Sequence, residues 1–539
     1  MQSPLNIKKI AIIGGGPGGL VTLNELLHTS SDGSSTITSP HSANKYPSNP
    51  AFDEIVVFEQ NECIGGVWNY SNRTDPKFPQ YVDDYSKPNG LRPNLAAGIN
   101  DLNNCTEASP CKVPIDADVS SKLDHLWNKS GVYDHLFTNI PNHLMRFSTS
   151  FDEPVKLDHN SKAYQPFATH PNVINYLKNY AKKYDLEKYV RFNSSVEKVY
   201  KVNDKWHLTI CKVNKSTNTL EYYTEKFDAV VVSVGRFNIP FYPFIIGQKE
   251  FNEKHPGVIE HSKSFRRTDD LIGKKVLIVG SSISAMDIAQ YLIPVSDLHI
   301  SSNTKGVPRA CEPTENTQQK ADWTDKVFGD PSLNWTKHGR IAKFEADTVI
   351  FEDGSQESNF DAILYCTGYH LYFPFLDIPE NEGKGYISVT SGYDGNPNYA
   401  LTKVDNLYLY TFTINDPTLC HTGIAQNPLF FLTSEANAVA IAGCWSGNKK
   451  LPSLEVQRNF IKSRHEGKKS GFQSYDETQI REFIRLCYAL ASSGRFDFVP
   501  YIREGDIMES KEVLHDLFFK FAKGEYNEFD PSLQFSDLS

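Results

Sequence analysis

Five glycines and a proline near the start of the chain have the spacing of a turn that binds phosphate groups. An apolar stretch at 9–13 precedes them, and Leu20, Leu23 and Leu27 follow at helical spacing. In a strand, turn and helix of this kind, the glycines let the backbone approach a pyrophosphate, which the helix N-terminus faces. The pattern therefore predicts dinucleotide binding by Gly14, Gly15, Gly16, Pro17, Gly18 and Gly19.

A dinucleotide-binding unit also needs a carboxylate at the end of the next strand, where it accepts hydrogen bonds from ribose hydroxyls. Glu59 ends the next apolar run, but it lies 45 residues beyond Gly14, whereas about 20 is usual. Of the 22 residues at 29–50, 15 are Ser, Thr, Pro or Asn, which is typical of a flexible surface insertion. Without that insertion the separation is ordinary, so we assign Glu59 to the ribose.

A second unit of the same kind is predicted at 274–292. Its turn begins at Gly280, and its next strand ends near Ile300 without a carboxylate. Hydroxyl groups, an amide, Lys305 and Arg309 follow instead. Because a carboxylate would repel a 2′-phosphate and this group can receive one, the unit favours NADP over NAD. The spacing does not fix which cation binds the phosphate. The predicted site residues are Gly280, Ser281, Ser282, Ser284, Ala285, Asp287 and Lys305. Asp287, one turn into the helix, is expected either to lie near the dinucleotide or to cap the backbone.

Two dinucleotide-binding turns, 266 residues apart, suggest electron transfer between two bound nucleotides. We expect FAD at the site with the carboxylate and NADPH at the site without one, in an α/β fold of two Rossmann-like domains. Apolar runs at 227–235 and 359–368 each close on a glycine, and we interpret them as two crossings between domains. The FAD-binding domain is predicted to comprise 1–239 and 361–539, and the NADPH-binding domain inserted into it comprises 240–360. Within the FAD-binding domain we expect surface insertions at about 29–50 and 71–129. A C-terminal helical region is expected to pack on the same domain.

Composition limits the other functions open to the chain. Its 539 residues include 55 Lys and Arg against 65 Asp and Glu, a net charge of −10, and no long basic run supports nucleic-acid binding. No apolar stretch reaches the length of a transmembrane helix, and we expect a cytoplasmic protein. Nine scattered cysteines without a Cys-x-x-Cys pair indicate neither a disulfide framework nor a zinc site, so no metal ligand is predicted. The oligomeric state stays open.

Several further motifs follow one another along the chain. Together with Gly14–Gly19 and Glu59 they are Ile64-Gly-Gly-Val-Trp68, Thr138-Asn139, a segment from His255 through His261 to Phe265, and Cys366-Thr-Gly-Tyr369. These motifs resemble those of the flavin-containing monooxygenases, which are class B flavoprotein monooxygenases, and most closely the fungal thiol-specific branch. Two departures stand out: His255 replaces the usual Phe of the family signature, and Ser282 stands where the second glycine of the NADPH turn usually lies.

The resemblance implies an enzyme that uses NADPH, FAD and O2 to form a C4a-hydroperoxyflavin. This species would oxygenate small soft nucleophiles, either sulfur or nitrogen compounds, with small thiols among them. The resemblance also implies that Val67, Trp68, Thr138 and Asn139 contact the flavin. Asn139 is then the catalytic residue that helps hold the hydroperoxide and the nicotinamide, and His261 is expected to be structural.

Other functions share parts of this pattern. A Baeyer–Villiger monooxygenase acting on ketones has a related signature, but that signature usually ends in Trp where this chain has Phe265. A flavin-dependent NADPH oxidase would result if the hydroperoxide were not shielded from water. A disulfide reductase would need paired redox cysteines, which the sequence lacks. From a different class, a non-catalytic redox-sensing scaffold would use the two insertions for docking, and Ser282 keeps that alternative open.

Overall fold

The computed structural model describes residues 5–41, 45–79, 82, 85–86, 91–99, 102–302, 323–377, 387–389, 402–466, 473–475, 477–502 and 505–524. None of the helices in these ranges combines the length and the apolar character needed to cross a membrane. The helices are α1 (Pro17–Leu27), α2 (Ala117–Asp124), α3 (His170–Lys183), α4 (Gln248–Lys254), α5 (Ile283–Leu292), α6 (Trp323–Gly329), α7 (Phe430–Trp445), α8 (Leu454–His465), α9 (Glu477–Tyr488) and α10 (Asp506–Ala522).

The first predicted unit lies inside a seven-stranded sheet. Lys9–Ile13 pairs in parallel with Glu54–Phe58 on one side and with Ala229–Val232 on the other. These strands are buried almost throughout, as is usual for parallel strands covered on both faces, and this explains their nearly continuous apolar runs. The order across the sheet is Leu407–Tyr408, Phe412–Thr413, Leu419–His421, Ala229–Val232, Lys9–Ile13, Glu54–Phe58 and Val190–Arg191.

The second unit lies in a separate parallel sheet of five strands. Lys275–Val279 pairs with Asp297–Ser301 on one side and with Ala362–Tyr365 on the other. Because Ala362–Tyr365 belongs to this sheet, the predicted boundary at residue 360 is corrected: the chain leaves the sheet only after Tyr365. The order is Ile259–His261, Ala362–Tyr365, Lys275–Val279, Asp297–Ser301 and Thr336–His338.

The two predicted crossings lie side by side. Ile239–Pro240 follows the first crossing and pairs antiparallel with Tyr369–His370, which follows the second. The Phe241 amide also donates a hydrogen bond to the Gly368 carbonyl at 2.9 Å. The two connections between the parallel sheets therefore form one two-stranded ribbon, which we call the crossing ribbon.

The remaining strands of the described residues form smaller antiparallel sheets. One has four strands in the order Cys111–Pro114, Thr219–Phe227, Lys205–Asn214 and Ser194–Val202. Another consists of Ile341–Glu345, Thr348–Phe351 and Gln356–Ser358. Two further pairs are Phe137–Pro141 with Phe167–Thr169 and Ile387–Val389 with Thr402–Val404.

The last two helices pack on different parts of the molecule. Helix α9 packs on α7, whereas α10 packs on α5, on α6 and on strand Phe137–Pro141. The centroid of the Phe521 ring lies 5.2 Å from that of Tyr291 on α5 and 6.3 Å from that of Phe137. The prediction that the whole C-terminal region packs on the FAD-binding domain is therefore corrected for α10, which covers the second dinucleotide unit.

The first predicted insertion is packed at its beginning. The Ser35 amide donates to the Ser493 carbonyl at 2.9 Å, and the Phe496 amide donates to the Ile37 carbonyl at 2.7 Å. The Ile37 side chain is buried. The prediction of a flexible surface segment at 29–50 is corrected for these residues, because the C-terminal part of the chain covers them and satisfies their backbone.

The second predicted insertion, 71–129, is anchored by residues that follow strand Ile259–His261. The charged groups of Lys263 and Asp75 lie 2.7 Å apart, and both side chains are fully buried. The Arg266 guanidinium donates to the carbonyls of Ser71 at 2.8 Å and Ser130 at 2.6 Å. The two ends of the insertion are thus tied to the same short segment of chain.

Candidate functional site

The first glycine turn has a backbone that only glycine can adopt without strain. Gly14 has a φ of +107°, and a Cβ atom there would lie 2.6 Å from the Ser233 carbonyl oxygen. Its amide donates to the Phe58 carbonyl at 2.8 Å. The turn therefore begins at the carboxyl edge of three neighbouring parallel strands, which is where open α/β sheets bind ligands.

Helix α1 begins at this turn with the N–H groups of its first turn open to a ligand. Gly16 is the N-cap residue, no side chain caps the helix, and its first turn contains no acidic residue. A Cβ atom on Gly16 would meet Gly66 Cα as its nearest neighbour, at 3.5 Å. The N-terminus can therefore receive an anion, and the backbone at Gly16 is accessible to a pyrophosphate.

Glu59 connects the turn to the second strand. One carboxylate oxygen accepts a hydrogen bond from the Gly15 amide at 2.7 Å, and the other accepts one from the Asn61 amide at 2.8 Å. Burial raises the pKa of Glu59 above its usual range, and these hydrogen bonds oppose that shift. Glu59 thus lies at the end of its strand and directly beside the glycine turn, which is the position of the ribose-binding carboxylate in dinucleotide-binding folds.

The Gly-Gly-x-Trp element lies against the same turn. The Gly65 amide donates to the Gly15 carbonyl at 3.0 Å. Residues Gly66–Trp68 form a short 3-10 helix in which Val67 and Trp68 are partly buried. The structure thus brings these two predicted residues next to the first turn, with ring surface and backbone still accessible.

Asn139 lies in the short strand Phe137–Pro141 and is the exposed residue of that strand. No other described residue forms a hydrogen bond with its side-chain amide. The neighbouring Thr138 differs, because its hydroxyl donates to the Ile140 carbonyl at 2.7 Å and accepts from the Ala168 amide at 3.1 Å. The Thr138 side chain therefore holds the strand in place, and the Asn139 amide is left available to a ligand.

The second turn repeats the geometry of the first. Gly280 has a φ of +116°, and a Cβ atom there would lie 2.6 Å from the Cys366 carbonyl oxygen. Its amide donates to the Ser301 carbonyl at 2.8 Å. Cys366 follows strand Ala362–Tyr365 directly, so the turn lies at the carboxyl edge of the five-stranded sheet.

Helix α5 begins after this turn with an open N-terminus. Ser282 is its N-cap residue but makes no capping hydrogen bond, and the first helical turn contains no acidic residue. Ser282 and Ser284 are exposed, Ser281 is partly exposed, and Ala285 is buried. Free N–H groups and exposed hydroxyls suit a pyrophosphate. Lys305, the predicted partner of the 2′-phosphate, lies outside the described residues.

Asp287 lies in the second turn of α5 and carries a carboxyl group with an altered pKa. Burial raises its pKa from 3.8 to about 7, and no hydrogen bond from the described residues stabilises the charged form. The neutral acid is therefore the favoured form below neutral pH. Because the pKa in the folded protein is raised, the stability that this group contributes at low pH is lost as the pH rises from 4 through 7.

We expect the affinity for NADP+ to fall as Asp287 ionises. A negative charge near the N-terminus of α5 would repel the phosphates of a nucleotide bound there, and this should raise the Kd by roughly three- to tenfold between pH 6 and pH 8. Isothermal titration of the wild type and of Asp287→Asn across this pH range measures the effect. Asp287→Asn should lose the pH dependence of the Kd that comes from this carboxyl group, but it should retain any pH dependence that comes from ionisation of the nucleotide. Parallel pH profiles for the two proteins would contradict a role for this carboxyl group.

His261 is buried between the two parts of the molecule. Its Nε2 atom lies 2.9 Å from the Gly368 carbonyl oxygen, and its Nδ1 accepts a hydrogen bond from the Lys263 amide at 3.1 Å. Burial lowers its pKa to about 3, so the ring stays neutral. With both nitrogens engaged in backbone hydrogen bonds at the crossing ribbon, His261 has the surroundings of a structural residue, as expected.

Arg236 is a feature of the site that the sequence motifs did not single out. It directly follows Gly235, where the first crossing leaves the seven-stranded sheet. Its guanidinium donates to the Gln426 side-chain oxygen at 3.2 Å and to the Ile424 carbonyl at 3.5 Å. The sequence did contain a signal for this residue, because a cationic side chain directly follows the glycine that ends a buried strand.

Comparison with known proteins identifies the family. The model of the FMO-like family, described as flavin-binding monooxygenase-like, matches residues 124–307 and 334–493, which is more than half of the chain. Flavin-containing monooxygenase FMO GS-OX1 of Arabidopsis thaliana is 27% identical over 461 residues, covering 84% of this chain and 77% of that protein. Flavin-containing monooxygenase iboF of Amanita muscaria is 27% identical over 533 residues, covering 90% and 88%.

Two solved structures share the fold. S-allyl-L-cysteine S-oxygenase from Allium sativum matches with a TM-score of 0.61 and 22% identity over 97% of this chain and 100% of that chain. Tmm from a Pelagibacter species matches with a TM-score of 0.61 and 22% identity over 96% and 93%. The family model, which matches more than half of the chain, shows that the chain belongs to the flavin-binding monooxygenase-like family, of class B flavoprotein monooxygenases. It is an enzyme of this kind and uses FAD and NADPH.

Proposed function

We propose that the enzyme uses NADPH, FAD and O2 to oxygenate soft nucleophiles, sulfur or nitrogen compounds such as small thiols. Bound FAD would accept a hydride from NADPH and then react with O2 to give a C4a-hydroperoxyflavin. One oxygen atom would pass to the substrate, and the other would leave as water. The observation that carries the proposal is a pair of uncapped helix N-termini, α1 and α5, each behind a glycine turn at the carboxyl edge of a parallel sheet. Such edges bind dinucleotides. The crossing ribbon joins the two sheets, which suits electron transfer between two bound nucleotides.

We assign the seven-stranded sheet to FAD and the five-stranded sheet to NADPH. The FAD-binding domain then comprises 1–239 and the chain after Tyr365, and the NADPH-binding domain comprises the residues between, covered by α10. A carboxylate at the strand end supports FAD at the first turn, and its absence at the second supports NADPH. The cofactor-binding residues proposed are Gly14–Gly19, Glu59, Val67, Trp68, Thr138 and Asn139 for FAD, and Gly280, Ser281, Ser282, Ser284, Ala285, Asp287 and Lys305 for NADPH.

Asn139 is the residue to which we assign the catalytic role. Its amide is exposed on a strand whose other residues are buried, and it has no hydrogen-bond partner among the described residues. A neutral amide can donate to a bound oxygen group without transferring a proton, and it adds no charge beside the flavin. The neighbouring Thr138 holds this strand in position, because its hydroxyl accepts a hydrogen bond from the Ala168 amide in the paired strand Phe167–Thr169.

Sulfur compounds are the substrates that we favour within this chemistry. The structural relative from Allium sativum is named as an oxygenase of S-allyl-L-cysteine, a sulfur compound. Among the described residues, no acidic or basic side chain is paired with Asn139. This fits a substrate that attacks as a neutral soft nucleophile and needs no proton removed first. We propose that this activity takes place in the cytoplasm.

The products of NADPH-dependent turnover test the proposal. The purified holoenzyme is supplied with NADPH and, in parallel, with a thioether, a thiol, a tertiary amine or a cyclic ketone. We expect a sulfur or nitrogen oxide formed in proportion to the NADPH consumed. An ester or lactone as the main product would establish the Baeyer–Villiger alternative, and hydrogen peroxide alone would establish an NADPH oxidase. A wild-type protein that consumes no NADPH under any of these conditions would contradict the proposal.

A further inference from the structure

The guanidinium of Arg236 has a charge that nothing in the described structure neutralises. The two groups to which it donates, the Ile424 carbonyl and the Gln426 side-chain oxygen, are neutral, and both hydrogen bonds are long. No Asp or Glu carboxylate of the described residues lies within 4.0 Å of it. Two other buried arginines differ, because Arg92 pairs with Glu197 at 2.9 Å and Arg495 pairs with two carboxylates. Arg266 has no carboxylate of the described residues within 4.0 Å, but it donates five hydrogen bonds to backbone carbonyls, whereas Arg236 donates two.

Burial makes this missing partner costly. Arg236 is partly buried, and loss of hydration alone lowers its pKa to about 10, with no opposing attraction from an acid. The group is nevertheless fully charged at neutral pH. A desolvated charge with few hydrogen bonds and no counterion is unfavourable, and a bound anion would reduce that cost.

The space around Arg236 can receive such a ligand. Gly235 and Gly368, one on each crossing, both have positive φ, and a Cβ atom on either would meet no atom within 4 Å. The Phe237 side chain beside them is 48% exposed. Gln426, the second partner of Arg236, is also exposed. The residue before Arg236 is thus a glycine with open space at its Cβ position, and the exposed Phe237 ring lies 5.9 Å from the guanidinium.

The same edge carries the first glycine turn. Ser233, three residues before Arg236, has its carbonyl oxygen against Gly14, and its hydroxyl lies 2.6 Å from that of Thr422. Thr422 in turn approaches Gly18 of the turn. The guanidinium thus belongs to the ligand-binding edge of the seven-stranded sheet and lies next to the crossing ribbon.

We propose that Arg236 binds an anionic oxygen group of a ligand at the crossing between the two sheets, either a phosphate of a bound dinucleotide or the carboxylate of the substrate. A planar guanidinium offers paired N–H donors that match both groups. The anion replaces the two long hydrogen bonds to Ile424 and Gln426. This inference rests on the proposed function, because it presumes that the nucleotides and the substrate meet at this edge.

The test compares Arg236→Gln and Arg236→Lys with Arg485→Gln, a matched loss of charge at an exposed arginine on α9 that pairs with Glu482. Three binding measurements are made: the Kd of FAD for the apoprotein by flavin fluorescence, the Kd of NADP+ for the holoenzyme by calorimetry, and the KM of S-methyl-L-cysteine against that of uncharged methyl phenyl sulfide. Thermal unfolding of each variant confirms its folding.

We expect Arg236→Gln to weaken the binding of at least one anionic ligand by roughly tenfold or more, as for loss of a charge-assisted hydrogen bond. Arg236→Lys should recover part of the loss, and the KM of methyl phenyl sulfide should stay unchanged. A change in nucleotide Kd identifies a phosphate, and a change confined to S-methyl-L-cysteine identifies a carboxylate.

Values within twofold of wild type for all three anionic ligands would overturn the proposal, as would equal losses in Arg485→Gln. If Arg236→Gln does not fold, Arg236→Lys is compared with the wild type instead. Unchanged affinities of Arg236→Lys for every ligand would then overturn the proposal that a guanidinium binds the anion through paired N–H groups. The nucleotide measurements do not depend on turnover. A wild-type protein that binds FAD and NADP+ but oxygenates no substrate would therefore contradict the proposed function. The role of Arg236 in nucleotide binding would still be tested by the two Kd measurements.

Discussion

Exchange of Gly16 for alanine is expected to give a folded protein that is almost colourless. Gly16 has a φ of −77° and an extended ψ, which any residue adopts, and a Cβ atom there meets nothing closer than 3.5 Å. The chain therefore accepts the methyl group. A pyrophosphate at the N-terminus of α1 needs the same space, so the methyl group should weaken FAD binding by roughly a hundredfold. The ratio of absorbance at the flavin and protein bands measures the effect, with circular dichroism to confirm folding.

Two further glycine variants show whether the loss is specific. Gly329→Ala is the neutral control, because a Cβ atom there has no neighbour within 4 Å, and its flavin content should match the wild type. Gly14→Ala should fail differently, by lowering stability itself, since its φ is positive and its Cβ would strike the Ser233 carbonyl. Normal flavin content in Gly16→Ala would contradict our assignment of this turn to the FAD pyrophosphate.

Replacement of Arg495 by methionine should cause the largest loss of stability. The guanidinium lies 2.6 Å from a carboxylate oxygen of Glu25 and 2.9 Å from one of Glu435, and it donates to the Ser148 hydroxyl at 3.0 Å. All three charged side chains are fully buried. Without the cation, two carboxylates remain buried with no counterion, and removal of one member of such a cluster costs about 3–5 kcal/mol.

The loss should grow with pH. Burial already raises the pKa of Glu435 to about 6 in the intact cluster, and removal of the cation raises it further. A carboxyl group whose folded pKa is raised stabilises the fold when protonated, and this stability is lost as the pH rises. Denaturant midpoints of Arg495→Met at pH 5.5 and pH 8 measure this, with Arg485→Met at an exposed ion pair as the control. A midpoint near that of the control, or one independent of pH, would refute the role of the cluster.

The parts of the fold that were predictable from sequence are those encoded by neighbouring residues. Lys9–Ile13 and Lys275–Val279 are continuous apolar runs that end at glycines, and both form buried parallel strands followed by a glycine turn with positive φ. The apolar run that contains Ala362–Tyr365 was also recognised as a strand, but its pairing with Lys275–Val279 was not predicted. Pairing between strands is set by distant parts of the chain, which local pattern does not encode.

The contacts that the sequence did not reveal are all long-range. The amphipathic pattern of α10 predicts a helix with one buried face, but it does not predict that this face packs on α5 and not on the seven-stranded sheet. The segment at 29–37 has a polar composition typical of a loop, yet backbone hydrogen bonds from residues near 495 order it. Buried cations such as Lys263 and Arg266 depend on carbonyl and carboxylate partners at 71–130 that only the folded chain brings to them.

Stopped-flow absorbance of the flavin-loaded enzyme, reduced anaerobically by NADPH and then mixed with oxygen, tests the central claim most directly. We expect a near-ultraviolet hydroperoxyflavin band that persists until a thioether or thiol is added. In Asn139→Ala the band should decay at least ~10-fold faster, because one hydrogen-bond donor to the oxygen group is lost. Immediate return of oxidised flavin in the wild type, with hydrogen peroxide released, would contradict oxygenation as the function of this site.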